Sequence, residues 1–284
     1  MLGSIIGDII GSIYEFDNCK SKDFQLFSNR MEFTDDSILT LATADWLLSG
    51  GNSCVYYSQY AKQYPCPMGG YGSGFLQWVR RTEAGDYSSY NSCGNGSAMR
   101  VGPVGWAFNT KKDVLYYARL SAECTHSHPE GIKGAQATAL CVFMARTKVA
   151  KEEIRSTIEE TFDYYLSMSC DDIRKKYTWG ATCQDTVPQA ICAFLDSYSF
   201  EDAIRNAISL GGDSDTLACI TGSIAEPYYG IPYDIYYKGI SYLPPSLKDI
   251  VIAFESRYSN NILKHRCSFK DYFRFLRKKC EKIK

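Results

Sequence analysis

The segment Ser209-Leu210-Gly211-Gly212-Asp213-Ser214-Asp215-Thr216 constrains the fold more than any other part of this chain. Two carboxylates and two hydroxyls fall within four residues. They stand behind a glycine pair and ahead of an apolar helical run of Leu217, Ala218, Ile220, Thr221, Ile224 and Ala225. The pattern recurs near the other end as Thr34-Asp35-Asp36-Ser37, again before an apolar helix, with the two clusters roughly 180 residues apart. Buried carboxylates this close repel unless a cation or a shared proton neutralises them. Two halves of one hard-metal site, suited to Mg²⁺ or Mn²⁺, are one reading. Helix capping is the other, because Asp, Ser and Thr are ordinary N-cap residues and first-turn carboxylates suit the helix dipole. Capping accounts for one Asp per helix and leaves the duplication unexplained. An EF-hand is excluded: it needs a central Gly and a Glu at position twelve, and this chain turns apolar directly after Thr216.

With 284 residues, 45% of them hydrophobic, the chain can bury a large core, and it is read as a single domain over 1–284. A net charge of −1 gives no whole-chain attraction for nucleic acid or an anionic membrane. The twelve cysteines are scattered without a C-x-x-C, and Cys141, Cys192 and Cys219 lie in apolar helical runs. They read as reduced thiols of an intracellular, cytoplasmic protein. The apolar N-terminus lacks a basic leading region and is interrupted by Asp8 and Glu15, which argues against a signal peptide. No run of 18 apolar residues is present, so no membrane span is expected.

Gly3, Gly7 and Gly11 recur every four residues among Ile5, Ile6, Ile9, Ile10 and Ile13. A glycine stripe on one helix face lowers helix propensity, so a close approach of backbone or ligand must compensate. Asp8 and Glu15, seven apart, are expected on one face. A solvated acidic face is the plain reading there, and Glu15, near the expected helix end, is the better ligand candidate. Residues 49–110 read as irregular and glycine-rich, yet Phe75, Trp78, Met99 and Trp106 set them apart from a flexible linker. The Ser92-Cys93-Gly94-Asn95-Gly96 stretch is a candidate anion cradle of backbone N–H groups, at positions where a Cβ would obstruct close approach. No G-K-[ST] follows it, so it is not a P-loop. Helices are expected over 112–124, 131–147, 151–168, 186–197, 200–209, 215–228 and 246–257, without strand alternation. Residues 264–284 are basic with an apolar stripe and read as a terminal amphipathic helix rather than a nucleic-acid tail. His126 and His128 bracket Ser127, without the Cys or carboxylate spacing of a zinc site. A substrate contact by His126 is the leading reading, with local loop hydrogen bonding and a metal as the others.

Taken in order, five segments resemble the ADP-ribosylglycohydrolase family, which includes the dinitrogenase reductase-activating glycohydrolase. They are Gly3 to Asp8 with Glu15, Phe33-Thr34-Asp35-Asp36-Ser37, Gly94-Asn95-Gly96-Ser97-Ala98-Met99-Arg100, Thr125-His126-Ser127-His128, and Gly211 to Thr216. The resemblance implies a compact all-α, multi-helix fold with two divalent ions, two Mg²⁺ or Mn²⁺ in their place, in a loop-lined binuclear cleft. It implies metal ligation by Thr34, Asp35, Asp36, Asp213, Asp215 and Thr216. Asp35 and Asp36 thereby join Glu15, which organises the attacking water, as catalytic candidates. Ser92, Gly94, Asn95 and Gly96 would hold the diphosphate and ribose, His126 would touch ADP-ribose, and Gly180 and Ala181, beside Trp179, would lie toward the adenosine. Ser37 stands where the family usually has Thr, which weakens residue 37 as a ligand.

The implied reaction is hydrolysis of the bond between ADP-ribose and a modified macromolecule, with ADP-ribose as product and arginine slightly preferred as acceptor. A nucleic-acid base remains among the acceptors. The residue chemistry agrees: ordinary glycosidases use two carboxylates flanking the bond, and the clusters here hold too many for that pair, which favours metal. A non-catalytic ADP-ribose or nucleotide binder and a metal-dependent phosphohydrolase are the alternatives.

Overall fold

The computed structural model describes residues 1–259, all of them helical or loop in character. The helix expected over 264–284 lies outside the described residues. The N-terminal half comprises α1 (Leu2–Gly11), α2 (Asp35–Ser49), α3 (Ser53–Gln63), α4 (Ser73–Thr82), α5 (Gly96–Met99), α6 (Gly102–Ala107), α7 (Lys111–Glu123) and α8 (Pro129–Arg146). After these come α9 (Lys151–Phe162), α10 (Cys170–Lys176), α11 (Cys183–Leu195), α12 (Phe200–Ser209), α13 (Ser214–Tyr229), α14 (Tyr233–Ser241) and α15 (Pro245–Tyr258).

The central helix is α13, with α1, α8, α11 and α12 packed around it. Its residues are buried from Ser214 to Pro227, polar Thr221, Ser223 and Glu226 included. The glycine stripe of α1 is what lets these two helices touch through their backbones. A Cβ on Gly7 would stand 2.0 Å from the Ala218 carbonyl oxygen, and one on Gly3 2.2 Å from that of Gly222. A Cβ on Gly11 would stand 2.5 Å from the Asp215 Cα. The close approach anticipated for the stripe is therefore made by backbone.

Local chemistry sets most helix ends. Thr110, Ser169, Thr182 and Ser199 each accept the backbone N–H of an Asp three residues on, starting α7, α10, α11 and α12. Two lysines close helix C-termini in space, where cations complement exposed carbonyls. Lys148 Nζ donates to the Pro227 and Tyr228 carbonyls at 2.8 and 2.9 Å. Lys151 Nζ donates to those of Phe194 and Leu195 at 2.9 and 3.0 Å, and to that of Ser197.

Three expectations need correction. Residues 49–110 hold four helices, α3 to α6, broken by the glycines and turns that made the stretch read as irregular. The helix expected over 151–168 ends at Phe162 because Asp163 takes a left-handed conformation at φ 53°. Buried Tyr164 and Leu166 continue the apolar pattern in non-helical chain. Finally, α1 stops at Gly11, so Asp8 and Glu15 do not share a helix face, and Asp8 is fully buried instead of solvated.

Gly7→Ala is expected to lower stability by about 2–3 kcal/mol, the upper range for overpacking, because backbone on both sides must move. Gly72→Ala, where a Cβ meets nothing within 4 Å, is expected to stay within ~0.5 kcal/mol. Paired urea melts check both, and equal effects would contradict the backbone seating.

Candidate metal centre and ligand cleft

The N-termini of α2 and α13 meet over Asp8 of α1. Asp8 accepts four hydrogen bonds from the start of α2: from Thr34 N at 3.0 Å, Thr34 Oγ1 at 2.6 Å, Ser37 N at 3.1 Å and Ser37 Oγ. Thr34 is the N-cap of α2, its hydroxyl accepting the Asp36 N–H. On α13, Asp213 holds the N-cap position without making a capping bond; its Oδ2 accepts the Asn95 side-chain amide at 2.7 Å. Capping thus accounts for Thr34 and does not account for Asp213.

Carboxylate oxygens gather in two trios, each within 4.8 Å mutually: Asp8 with Asp36 and Asp215, and Glu15 with Asp213 and Asp215. Asp215 belongs to both. Thr216 N donates to Asp215 Oδ1 at 2.9 Å, and Thr216 Oγ1 donates to Asp36 Oδ2 at 3.3 Å. Asp35 is half-buried and lines the cleft beside Asp36. Glu15 lies in the turn after α1, and Asn18 fixes that turn to the α13 entrance. Asn18 Nδ2 donates to the Glu15 and Gly212 carbonyls at 2.9 and 3.0 Å, while its Oδ1 accepts the Gly212 N–H at 2.7 Å. Gly211 and Gly212 turn the chain at φ +74° and +73°, a region that L side chains adopt poorly.

Burial, assisted by mutual repulsion, resists ionisation of this cluster. Burial lifts the Asp8 carboxyl to about 6 against the lowering effect of its Ser37 and Thr34 bonds. It lifts Glu15 to about 7, with help from Asp213 and Asp8. Asp35, Asp36 and Asp215 are raised well above the ordinary range, by burial first and neighbouring carboxylates second. Asp36 Oδ1 is buried with no hydrogen-bond donor. A buried carboxylate oxygen facing other carboxylates and lacking a donor suits a hard cation, and the donor set is all oxygen. The residues therefore fit divalent ions.

The cluster forms one end of a cleft of about 440 Å³, within the range of small-molecule sites. Its walls include Gly69 to Phe75, Tyr90, Ser92, Gly94, Asn95, Gly96, His126, Trp179 and Ala181. Antiparallel bridging of Gly94 with Thr182 ties the 92–96 loop to the entrance of α11. Neither Gly94 nor Gly96 has positive φ. A Cβ at 96 would crowd His126, 3.1 Å from its Nε2, whereas one at 94 would first meet Ser92 Oγ at 3.1 Å and His126 Nε2 only at an ordinary 3.5 Å. His126 shares a 2.7 Å hydrogen bond between Nδ1 and Thr125 Oγ1. Burial and then Arg100 hold its imidazole well below the usual value, hence neutral. His128 instead caps α8 by accepting the Glu130 N–H. Gly180 is buried, with Asp185 Cβ 2.4 Å from where its Cβ would stand, and its neighbours Trp179 and Ala181 reach the cleft in its place.

The sequence profile of the ADP-ribosylglycohydrolase family matches residues 1–236. The chain belongs to that family. An ADP-ribosylhydrolase ARH3 of Danio rerio is 26% identical over 302 residues, covering 81% of this chain and 82% of that protein. An ADP-ribosylarginine hydrolase Tri1 of Pseudomonas putida is 26% identical over 264 residues, covering 81% of this chain and 70% of that protein. A solved structure described as an ADP-ribosylglycohydrolase-related protein complex shares the fold at TM-score 0.66. It is 23% identical and covers 90% of this chain and 95% of that one. The all-α architecture expected from the resemblance is thus the architecture found. In this member of the family, Asp35, Asp36, Asp213, Asp215, Thr216, Glu15, Ser92, Gly94, Asn95, Gly96 and His126 line one cleft. Thr34 lies buried beneath them. Asp8 went unchosen at the sequence level, although its position between Gly7 and Gly11 placed it on the helix that meets α13.

A pH dependence follows. As pH rises from the ordinary value of 4.5 to about 7, the unfolded chain ionises Glu15 while the folded chain still holds its proton. Asp8 behaves alike between 3.8 and about 6. The unfolded state then binds fewer protons, so stability falls with rising pH across this window. Divalent ions bind deprotonated carboxylates, so the rise in Tm produced by millimolar Mg²⁺ is expected to be larger at pH 8 than at pH 5. Differential scanning calorimetry measures this, and a shift that shrinks with pH would contradict it.

Proposed function

We propose that this chain is a divalent-metal-dependent hydrolase that cleaves the glycosidic bond joining ADP-ribose to a modified side chain, reversing ADP-ribosylation. The observation that carries this reading is the pair of carboxylate trios sharing Asp215, at one end of a cleft lined elsewhere by the Ser92–Gly96 loop and His126. Thr34, Asp35, Asp36, Asp213, Asp215 and Thr216 would hold two Mg²⁺ ions, with Mn²⁺ as substitute. When bound, such ions supply positive charge to the distal ribose hydroxyls and acidify water.

The chain's own residues divide the remaining work. Asp8 fixes the start of α2, and with it the direction of Asp35 and Asp36. Glu15, half-buried with a carboxyl lifted to about 7, is poised to take a proton from water attacking the anomeric carbon. A base works best with its pKa near the working pH. As the bond to the acceptor breaks, its electron pair leaves with the acceptor nitrogen or oxygen. Neutral His126 and the 92–96 loop orient the diphosphate side without adding charge. Arginine is the first acceptor to test, since the Pseudomonas putida relative is named an ADP-ribosylarginine hydrolase.

The test is a panel of ADP-ribose linked to arginine, to serine, to a nucleic-acid base and to acetate, each assayed with Mg²⁺ and with chelator. Mg²⁺-dependent release of free ADP-ribose is expected. Release of phosphate would favour a phosphohydrolase, and binding without turnover of any substrate would favour a non-catalytic binder. Glu15→Gln is expected to lower turnover by ~10²-fold or more while calorimetry still detects ADP-ribose binding. Unchanged turnover would remove Glu15 from the reaction.

A further inference from the structure

Behind the ligand cleft, outside the carboxylate cluster, two cysteines far apart in sequence meet. Cys54 lies in the first turn of α3 and Cys124 is the C-cap of α7. Their sulfurs stand 2.6 Å apart, Cys54 donating to Cys124, against about 2.05 Å for a bonded pair. Cys124 is buried and Cys54 half-buried. Beside them lies Arg100, fully buried. Its Nη2 donates to the Ser121 carbonyl at 2.8 Å and to Thr125 Oγ1 at 2.9 Å, its guanidinium carbon sits 3.9 Å from the Tyr57 ring centroid, and Nε and Nη1 have no acceptor. No carboxylate pairs with Arg100 among the described residues. A buried guanidinium without a carboxylate favours whatever nearby group can become an anion.

We infer that Cys54 and Cys124 form a peroxide-oxidisable dithiol that closes to a disulfide between α3 and α7. Two independent observations support it: the sulfur–sulfur approach and the uncompensated Arg100 charge. The hydrogen bond from Cys54, together with Arg100, draws the Cys124 thiol below its ordinary value. Burial drives the thiols of Cys141, Cys170, Cys183, Cys192 and Cys219 the other way. The thiolate is the reacting form, and half-buried Cys54 gives the pair its exposed side.

The chemistry balances in two steps. The Cys124 thiolate attacks one peroxide oxygen, the O–O bond breaks, and the departing hydroxide takes a proton to become water, leaving a sulfenic acid. The Cys54 sulfur then attacks the Cys124 sulfur, the S–O bond breaks, and hydroxide leaves with the Cys54 proton as a second water. Both sulfurs are oxidised and both peroxide oxygens reduced. Cys124 directly precedes Thr125 and His126, and the Thr125 carbonyl accepts the Ser92 N–H at 3.2 Å, so the new bond would form immediately behind the 92–96 loop.

The test uses the full chain, reduced, freed of reductant and exposed to graded hydrogen peroxide. It is then denatured, alkylated with N-ethylmaleimide and digested without reductant for peptide mass mapping. A cross-linked peptide pair joining Cys54 to Cys124, lighter by two hydrogens, is expected before the exposed Cys66 is oxidised. In Cys54→Ser, oxidation is expected to stop at a Cys124 sulfenic acid trapped by dimedone. Recovery of Cys54 and Cys124 as alkylated thiols after Cys66 has been oxidised would overturn the inference, and that readout needs no variant to fold.

Discussion

Gly3, Gly7 and Gly11 let the backbone of α1 rest on that of α13, and this contact sets the depth of everything at the cluster. Because the Gly11 position lies against Asp215, α1 brings Asp8 to the α13 N-terminus with no side chain between. Asp8 then gathers the start of α2 through Thr34 and Ser37. Three helices from opposite ends of the chain are registered by one backbone contact and one buried carboxylate. A side chain at Gly7 or Gly11 would act on the site as much as on the core, since no flexible atom is available to move aside.

That arrangement crowds carboxylates and is tolerable only because several features offset their repulsion. The N-termini of α2 and α13 carry partial positive charge toward the cluster. Asp8 is saturated with donors, Asp213 accepts from Asn95, and Asp215 accepts from Thr216. Asp36 Oδ1 alone of the two trios' buried oxygens is left with no donor. The glycine turns do the remaining positioning. Gly69, at φ +76°, passes so close to Glu15 that a Cβ would stand 2.7 Å from its Oε2. Gly211 and Gly212 bring Asp213 beside Asn18 and hence beside the Glu15 turn.

Much of this was legible from residue types. The two oxygen-rich segments announced a shared site because capping could not explain Asp213 and Asp215 together, and the later helices showed in apolar periodicity. What escaped was tertiary in origin. Asp8 looked like a surface acid because its partners, Thr34 and Ser37, are remote in sequence and only the α1–α13 contact brings it inside. The helices α4, α5 and α6 contain glycine, so burial of side chains such as Trp78, Met99 and Val104 in the core, rather than local propensity, holds them. That a Cβ at Gly96 would also crowd the His126 ring depended on a contact across 30 residues. Of Gly180 and Ala181, expected together toward the adenosine, Ala181 lines the cleft with Trp179 while Gly180 packs against Asp185.

The central claim is that the trios sharing Asp215 form one binuclear centre. Anomalous diffraction from crystals soaked in millimolar Mn²⁺ tests it most directly. The account predicts two manganese peaks, one bounded by Asp36 and Asp215 with Asp8 behind it and the other by Asp213 and Asp215 near Glu15. Well-ordered crystals showing no peak there, or peaks only on surface carboxylates, would contradict it.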